Sequence, residues 1–179
     1  MVKLAIVVQP SLKISGGDQV INTLYKGFKQ KYDINLVCLC PINLDNKFKR
    51  CFKFFFKFFR SKFSKFGNKP QLIRQSSLKK YDYVLVGWNE DCASILKTNY
   101  PKDRIIHICQ SFETWANDVY SSRIIYNNKI HRLSVANWLS DCMQKQSLNN
   151  FFIGNCIQDS FFENQKNINF SKKNILPIF

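Results

Sequence analysis

The chain has 179 residues, 45% of them hydrophobic, with six glycines and five prolines, so it is long enough for one packed domain and excludes both intrinsic disorder and a fibrous protein. Its net charge of +15 indicates an anionic partner, and anionic lipid, nucleic acid and a phosphorylated substrate are the candidates. The seven cysteines include no Cys-x-x-Cys pair and are accompanied by only two histidines, a pattern typical of reduced core thiols. We therefore expect neither a zinc site nor a disulfide framework.

No targeting or membrane-spanning segment is predicted. The apolar run at residues 4–8 is too short for a signal peptide and leads into Pro10 without a cleavage site. An uncharged apolar run of about 18 residues, which a transmembrane helix needs, does not occur. The sequence therefore predicts a protein of the reduced cytosol.

The first forty residues follow a strand, loop, helix and strand pattern. Residues 4–8 form a continuous apolar run rich in β-branched side chains, which is typical of a strand buried on both faces of a parallel sheet. Apolar residues then recur at helical spacing from Val20 to Phe28. Residues 34–39 are predicted to form the second strand.

The same alternation resumes after residue 80. We predict strands at residues 83–87, 104–109, 131–136 and 151–153, with Asn89 and Asn137 as the N-caps of two intervening helices. His107, within one of these strands, is expected to be a core histidine. The fold class predicted is α/β, with a single Rossmann-like, doubly wound and mainly parallel sheet.

A basic, phenylalanine-rich insert at residues 45–68 interrupts this alternation. At 100° per residue most of its phenylalanines fall on one face of a helix and most of its basic residues fall opposite, which predicts an amphipathic helix in a membrane interface. The residues expected to contact acyl chains and lipid phosphates are Phe52, Phe55, Phe56, Phe59, Lys53, Lys57 and Arg60. Two alternatives stay open, namely a helix that packs its phenylalanines on the domain, and a nucleic-acid site that uses the same residue types.

A glycine pair, Gly16 and Gly17, follows the first strand and opens the first helix. Two glycines in this position expose backbone N–H groups at the positive end of the helix dipole, where a phosphate binds. The pair lacks the spacing of the dinucleotide fingerprint and the lysine of a P-loop. Taken alone, such a pair is more often a tight turn than a phosphate site.

Four segments together resemble the N-terminal domain of family 4 glycosyltransferases, which have the GT-B fold. They are residues 15–17 (Ser-Gly-Gly), 105–113, 133–139 and 152–157. In that family a glycine pair follows the first strand, a strand ends in His-Asp or Gln-Asp before an acidic-aromatic loop, a Ser-x-Trp-like segment opens a helix, and a Pro-Asn-Gly-like segment leads to the second domain. The resemblance implies that residues 1–165 are the acceptor-side half of a GT-B fold and that residues 166–179 start the hinge and second domain, cut off before the donor domain.

The resemblance also implies roles for individual residues. Gly16 and Gly17 would approach the donor diphosphate, and Gln110 would take the place of the family histidine near the transferred sugar. Glu113 would be a second catalytic position and would line the acceptor pocket with Trp115. From the residues alone, Glu113 is equally consistent with a solvated loop acid, and Gln110 with a hydrogen-bonding residue at a strand end.

Asn155 would lie near the interdomain hinge on the acceptor side. The sequence departs from the family pattern at three places: Ser111 stands where an Asp is common, Cys156 replaces a glycine, and Gln158 replaces an acid. These departures affect the positions next to Gln110 and Asn155.

The function implied is a retaining glycosyltransferase acceptor domain that works without a metal or other cofactor. Its partners would be a nucleotide-sugar donor, a lipid-linked or glycan acceptor, an anionic membrane surface and a separately encoded donor-domain subunit, but not nucleic acid. We expect it to be cytoplasmic, peripheral on the inner face of the membrane, and inactive alone. The alternative is a non-enzymatic α/β module that associates with a membrane or binds a nucleotide or nucleic acid.

Overall fold

The computed structural model describes residues 1–10, 16–40, 58, 70–111 and 119–154. Its strands form one seven-stranded sheet in the order β3-β2-β1-β4-β5-β6-β7, and each neighbouring pair is parallel. The strands are β1 (Lys3–Val7), β2 (Asp33–Leu39), β3 (Gln71–Ile73), β4 (Tyr83–Val86), β5 (Ile105–Cys109), β6 (His131–Ser134) and β7 (Phe151–Phe152). The predicted fold class is confirmed, and the first six strands have the order of the doubly wound dinucleotide-binding sheet.

Within the described residues, four helices with defined bounds alternate with these strands. They are α1 (Gly16–Lys29), α2 (Asn89–Leu96), α3 (Val119–Tyr126) and α4 (Asn137–Lys145), with short 3-10 helices at Gln75–Lys80 and Lys102–Arg104. Parallel crossovers are right-handed, so the connection from β1 to β2 lies on one face of the sheet and the connections that follow β4, β5 and β6 lie on the other.

The strands are apolar throughout because both of their faces are covered. In β1, Ile6 packs in one core with Ile21 of α1, whereas its neighbour Val7 packs in a second core with Ile95 of α2. All four side chains are buried. A continuous apolar run is therefore what a central parallel strand requires.

The structure contains two elements that the sequence pattern did not predict, β3 and α3. Because β3 pairs with β2 in parallel, the phenylalanine-rich segment is part of the crossover connection between these two strands, and it does not interrupt a completed pattern. Phe58 is the one described residue of this segment; it is helical, half-buried and packed on the core that α1 covers. The membrane-facing residues predicted from the sequence, Phe52, Phe55, Phe56, Phe59, Lys53, Lys57 and Arg60, lie outside the described residues.

Both predicted N-caps were wrong by one residue. Trp88 and Ala136 occupy the N-cap positions of α2 and α4, and neither makes a side-chain cap. Asn89 is buried and donates from Nδ2 to the Ser122 hydroxyl of α3 at 3.3 Å. The Asn89 side chain therefore bonds to a neighbouring helix and does not cap its own.

The described helices are all short relative to a bilayer. Within the ranges that the structure describes, none is both long enough and apolar enough to cross a membrane.

Candidate functional site

The sheet reverses its winding direction between β1 and β4. The chain leaves β1 toward β2 and leaves β4 toward β5, so α1 and α2 start on opposite faces at the carboxyl edge of the sheet. This arrangement opens a crevice between the two helix starts, where ligands of doubly wound proteins bind. We call it the switch crevice. Gln9 follows β1 there, Gly87 follows β4, and Gln110 follows β5.

The carboxamide of Gln110 lies directly against the backbone of Gly17 at the start of α1. A Cβ atom on Gly17 would be 2.5 Å from Gln110 Oε1 and 2.9 Å from Nε2, which is closer than real contacts allow. A Cβ atom on Gly87 would be 4.0 Å from the same Nε2 and 3.4 Å from Ile21 Cδ1. The end of β5 and the start of α1, distant in sequence, therefore meet at one polar group.

The two glycines of the predicted phosphate loop differ in what they require. Gly17 leaves no room for a side chain unless Gln110 moves. At Gly16, which is exposed, a Cβ atom would have no described neighbour within 4 Å. A side chain therefore fits freely at residue 16, whereas at residue 17 it fits only if the Gln110 carboxamide moves.

Gly17→Ala is expected to displace the Gln110 carboxamide with a stability change below about 1 kcal/mol, because the displaced atoms are the free end of a flexible side chain. The side-chain NH₂ resonances of Gln110 in a ¹H–¹⁵N spectrum report the displacement, and urea unfolding reports the stability. Gly16→Ala is the matched control and should leave those resonances in place. Equal shifts in the two variants would contradict the assigned contact.

A carboxyl group, Asp91, also faces this edge from the third residue of α2. The Gln9 side chain donates a hydrogen bond to it, while its Oδ2 is buried and has no hydrogen-bond partner among the described residues. Burial raises the pKa of Asp91 to about 6, against the lowering effect of the Gln9 bond, and the charge of Glu90 adds to the rise. Asp91 was not predicted as a site residue, because an acid in the first turn of a helix usually only complements the helix dipole.

The thiol near Asp91 is unreactive. Cys38 is buried, and burial raises its pKa to about 12, with a further contribution from the negative charge of Asp91. A thiolate is the nucleophilic form of cysteine, so Cys38 does not supply a nucleophile at neutral pH. The described groups of the switch crevice include amides, helix N–H groups and the carboxyl of Asp91, which bind phosphate oxygens and hydroxyls and accept a proton. Asp18 and Glu90 also lie in the first turns of α1 and α2.

The remaining predicted site residues cannot be placed in the crevice. Glu113, Trp115 and Asn155 lie outside the described residues. Ser111, which follows Gln110, is half-buried. Over the described ranges, no group of three or more His, Cys, Asp or Glu side chains is arranged to hold a metal ion.

A second polar cluster lies away from the crevice, under α3. Arg132 of β6 is 1% exposed, and its guanidinium donates to the carbonyls of Ile125 at 2.7 Å, Asn128 at 2.8 Å and Ile130 at 3.2 Å. The first two carbonyls belong to the end of α3 and the turn after it, so this buried cation caps the helix. The guanidinium also stacks over the Tyr126 ring at 5.8 Å.

His107 is the cross-strand neighbour of Arg132. It is buried, as predicted for a core histidine, and its Nδ1 lies 3.1 Å from the Cys109 sulfur. Burial, and then the positive charge of Arg132, lowers the pKa of His107 to about 3, so the ring is neutral at physiological pH. His107 thus belongs to the core that supports α3 and is not part of the switch crevice.

Comparisons of the chain with protein-family models, with curated proteins and with solved structures return no match. The functional interpretation therefore depends on the sheet topology and on the residues of the switch crevice.

Proposed function

We propose that the chain is the acceptor-side domain of a GT-B-type retaining glycosyltransferase. It would take part in the transfer of a sugar from a nucleotide-diphosphate donor to a lipid-linked or surface-glycan acceptor at a membrane. The observation that carries this proposal is the packing of the Gln110 carboxamide on Gly17 at the start of α1. Two of the residues that the resemblance assigns to the sugar and the diphosphate are thereby neighbours at the switch crevice.

The donor diphosphate would bind at the start of α1. The first N–H groups of a helix have no partner within the helix, and the helix dipole adds positive potential there. Gln110 would donate from its carboxamide to an oxygen of the same ligand, held in place by its contact with Gly17. Backbone donors of this kind stabilise the charge of a departing diphosphate without a metal ion.

Asp91 and Gln9 would form the hydroxyl-binding side of the crevice. One oxygen of the Asp91 carboxylate is bonded to an amide and the other has no described partner, so it would accept a sugar hydroxyl once the residues that bury it move aside. Because the Cys38 thiol is buried and unreactive, catalysis would depend on positioning and on charge stabilisation. Such a domain binds parts of both substrates, whereas turnover requires a donor-binding partner.

The test is to titrate ¹⁵N-labelled protein separately with UDP, GDP and inorganic phosphate, and to monitor binding by the chemical-shift changes of the protein. We expect saturable changes in the millimolar range at the backbone of Gly16 and Gly17 and at the Gln110 side chain. Gln110→Ala should weaken nucleoside-diphosphate binding about five- to tenfold, the effect of one hydrogen bond. Gln144→Ala, at an exposed glutamine near the end of α4 and away from the crevice, is the matched control and should bind as the wild type does.

The proposal fails if no nucleoside diphosphate perturbs the start of α1, or if Gln110→Ala binds as tightly as the wild type. A response to inorganic phosphate equal to that of both nucleotides would also count against it, since it would show an anion site without nucleotide recognition.

We place the protein, as part of the same proposal, on the inner face of an anionic membrane. The support is the excess of basic residues and the amphipathic sequence of residues 45–68. Replacing Phe55, Phe56 and Phe59 by Ser tests the role of that segment by liposome sedimentation. If the triple variant sediments with anionic liposomes as the wild type does, residues 45–68 do not bind the membrane through these phenylalanines.

A further inference from the structure

The basic residues that the structure describes collect at one edge of the sheet. All strands run the same way and the helices return against them, so strand starts and helix ends share the amino edge, opposite the switch crevice. Every described lysine and arginine lies at this edge except Arg74, Arg123 and the buried Arg132. The lysines and arginines at the edge are all exposed. Lys31 and Lys80, which precede β2 and β4, are examples.

The described acids are distributed differently. Asp18, Glu90 and Asp91 lie in the first turns of α1 and α2, at the carboxyl edge. Three acids lie at the amino edge, Asp33, Asp82 and Asp103, and the carboxylate of Asp82 accepts the Lys3 N–H at 2.8 Å. Among the described residues, the eleven lysines and arginines of the amino edge outnumber these three acids, so that edge carries a strong positive charge, whereas the crevice edge carries a weak negative one.

Helix dipoles explain only part of this segregation. Lysines in the last turns of α1 and α4 complement the negative helix ends, as in many proteins. Lys31, Lys102, Arg104 and Lys129 precede strands, and sheets have only small net dipoles. The basic residues before the strands need another explanation.

These residues form a band along the edge that slants across the strands. In the pairing register β2 and β1 start level, whereas β4, β5 and β6 each start one residue later than the neighbour before them, a total shift of roughly 10 Å at about 3.3 Å per residue. Five strands at about 4.8 Å spacing give the band a length of roughly 19 Å. Two tyrosines lie in the band, Tyr32 and Tyr83, with 37% and 39% of their surface exposed.

We propose that the amino edge of the sheet docks on an anionic bilayer surface. The inference rests on the membrane location in the proposed function and identifies the face that makes the contact. Because neighbouring strand starts are offset by one residue at most, the sheet can tilt so that the slanted band of cations faces a plane of lipid phosphates, and exposed tyrosines suit the interface. Proteins that hold single-stranded nucleic acid concentrate their cations in a groove that tracks the backbone, so the band favours the membrane.

If the amino edge docks on the membrane, the switch crevice faces away from the lipid. The crevice is at the opposite ends of the strands, roughly 15–20 Å farther from the lipid at about 3.3 Å per residue. A lipid headgroup does not reach that far. The acceptor that fits this orientation is the end of a glycan that projects from the membrane.

Sedimentation with vesicles of phosphatidylcholine containing 30 mole per cent phosphatidylglycerol tests the face. Lys31→Glu with Lys102→Glu reverses two charges of the band, and Arg74→Glu with Arg123→Glu makes the same charge change elsewhere on exposed residues. The band variant should lose roughly 25-fold or more in partitioning, since each basic residue near an anionic surface contributes about a fivefold factor. The control variant should lose less than threefold.

Equal losses in the two variants would overturn the proposal, because the membrane would then sense only net charge. No loss in either variant would overturn it as well. Binding of a single-stranded oligonucleotide at physiological salt that depends on the band, without a band effect on vesicles, would replace the membrane by nucleic acid. The nucleoside-diphosphate titration of the band variant should match that of the wild type, so failure of the docking face is distinguishable from failure of the transferase site.

Discussion

Arg132→Ala is expected to lower the free energy of unfolding by about 3–5 kcal/mol. The substitution leaves the carbonyls of Ile125 and Asn128 without the donors that now reach them at 2.7 Å and 2.8 Å. It also removes a fully buried side chain and its contact with the Tyr126 ring, so a cavity adds to the loss. Urea unfolding at pH 7 measures the change.

Arg123→Ala is the control for this experiment. Arg123 lies on the same helix, α3, but is exposed, so its replacement should change the stability by less than about 0.5 kcal/mol. Arg132→Lys should fall between the two, since it keeps the charge and loses the planar fork that bonds several carbonyls at once. A loss below 1 kcal/mol for Arg132→Ala would mean that the buried guanidinium does not hold α3 in place.

Asp91→Asn is expected to raise the free energy of unfolding by roughly 2 kcal/mol at pH 8. At pH 4 the Asp91 carboxyl of the folded protein is already neutral, so the substitution should change the free energy of unfolding little. The pKa of Asp91 is raised from 3.8 to about 6 in the folded chain, chiefly by burial. The folded state therefore holds the proton more tightly than the unfolded state, and the resulting stability is complete below pH 3.8 and is lost as the pH rises through 6. The amide remains neutral at every pH and still accepts the bond from Gln9.

His107 also makes the stability depend on pH, so the effect of Asp91 has to be measured as the difference between the wild type and Asp91→Asn. The pKa of His107 is lowered to about 3, so its contribution is present above pH 6.5 and is lost as the pH falls, the opposite direction to Asp91. Unfolding curves of wild type and Asp91→Asn between pH 4 and 8 cancel the histidine. Glu90→Gln, at the exposed neighbouring position, removes only the smaller repulsion that Glu90 exerts on Asp91, so its gain at pH 8 should be much smaller. If Asp91→Asn gains nothing over Glu90→Gln, the carboxylate of Asp91 is not destabilised by burial.

A carboxylate that costs stability at neutral pH is typical of a residue kept for function. If Asp91 accepts a sugar hydroxyl, the same variant should bind the acceptor less well while it unfolds less easily. Weaker acceptor binding together with higher stability would identify Asp91 as a functional acid. An acid that only complements the helix terminus would show no loss of acceptor binding.

The sequence allowed the sheet to be predicted well because its central strands are buried on both faces. Residues 4–8 and 34–39 are apolar without alternation, and only a parallel sheet covered by helices accommodates such runs. β3 was missed because three residues after Pro70 are too few to show a period. α3 was missed because its eight residues depend on Arg132, a tertiary partner that helix patterns do not include.

The site was predicted in part. The glycine pair and Gln110 each follow a buried strand, so their common edge could be inferred from the topology, although the contact between Gly17 and Gln110 needs side-chain packing to be seen. Asp91 was missed because its burial depends on Gln9 and on the cover of neighbouring elements. The charge band was missed because a total charge says nothing of which strand ends share an edge.

The place of β1 in the middle of the sheet affects how the chain is completed on the ribosome. Its neighbour β2 follows closely, but the contact between the Lys3 amide and the Asp82 carboxylate joins residues that are 79 positions apart. At 5–20 residues per second, the nascent chain exposes one side of its first strand for roughly 4–16 s. During that interval the unpaired backbone edge of β1 and its apolar side chains are open to other chains, so assembly of this protein is expected to benefit from a chaperone that binds early.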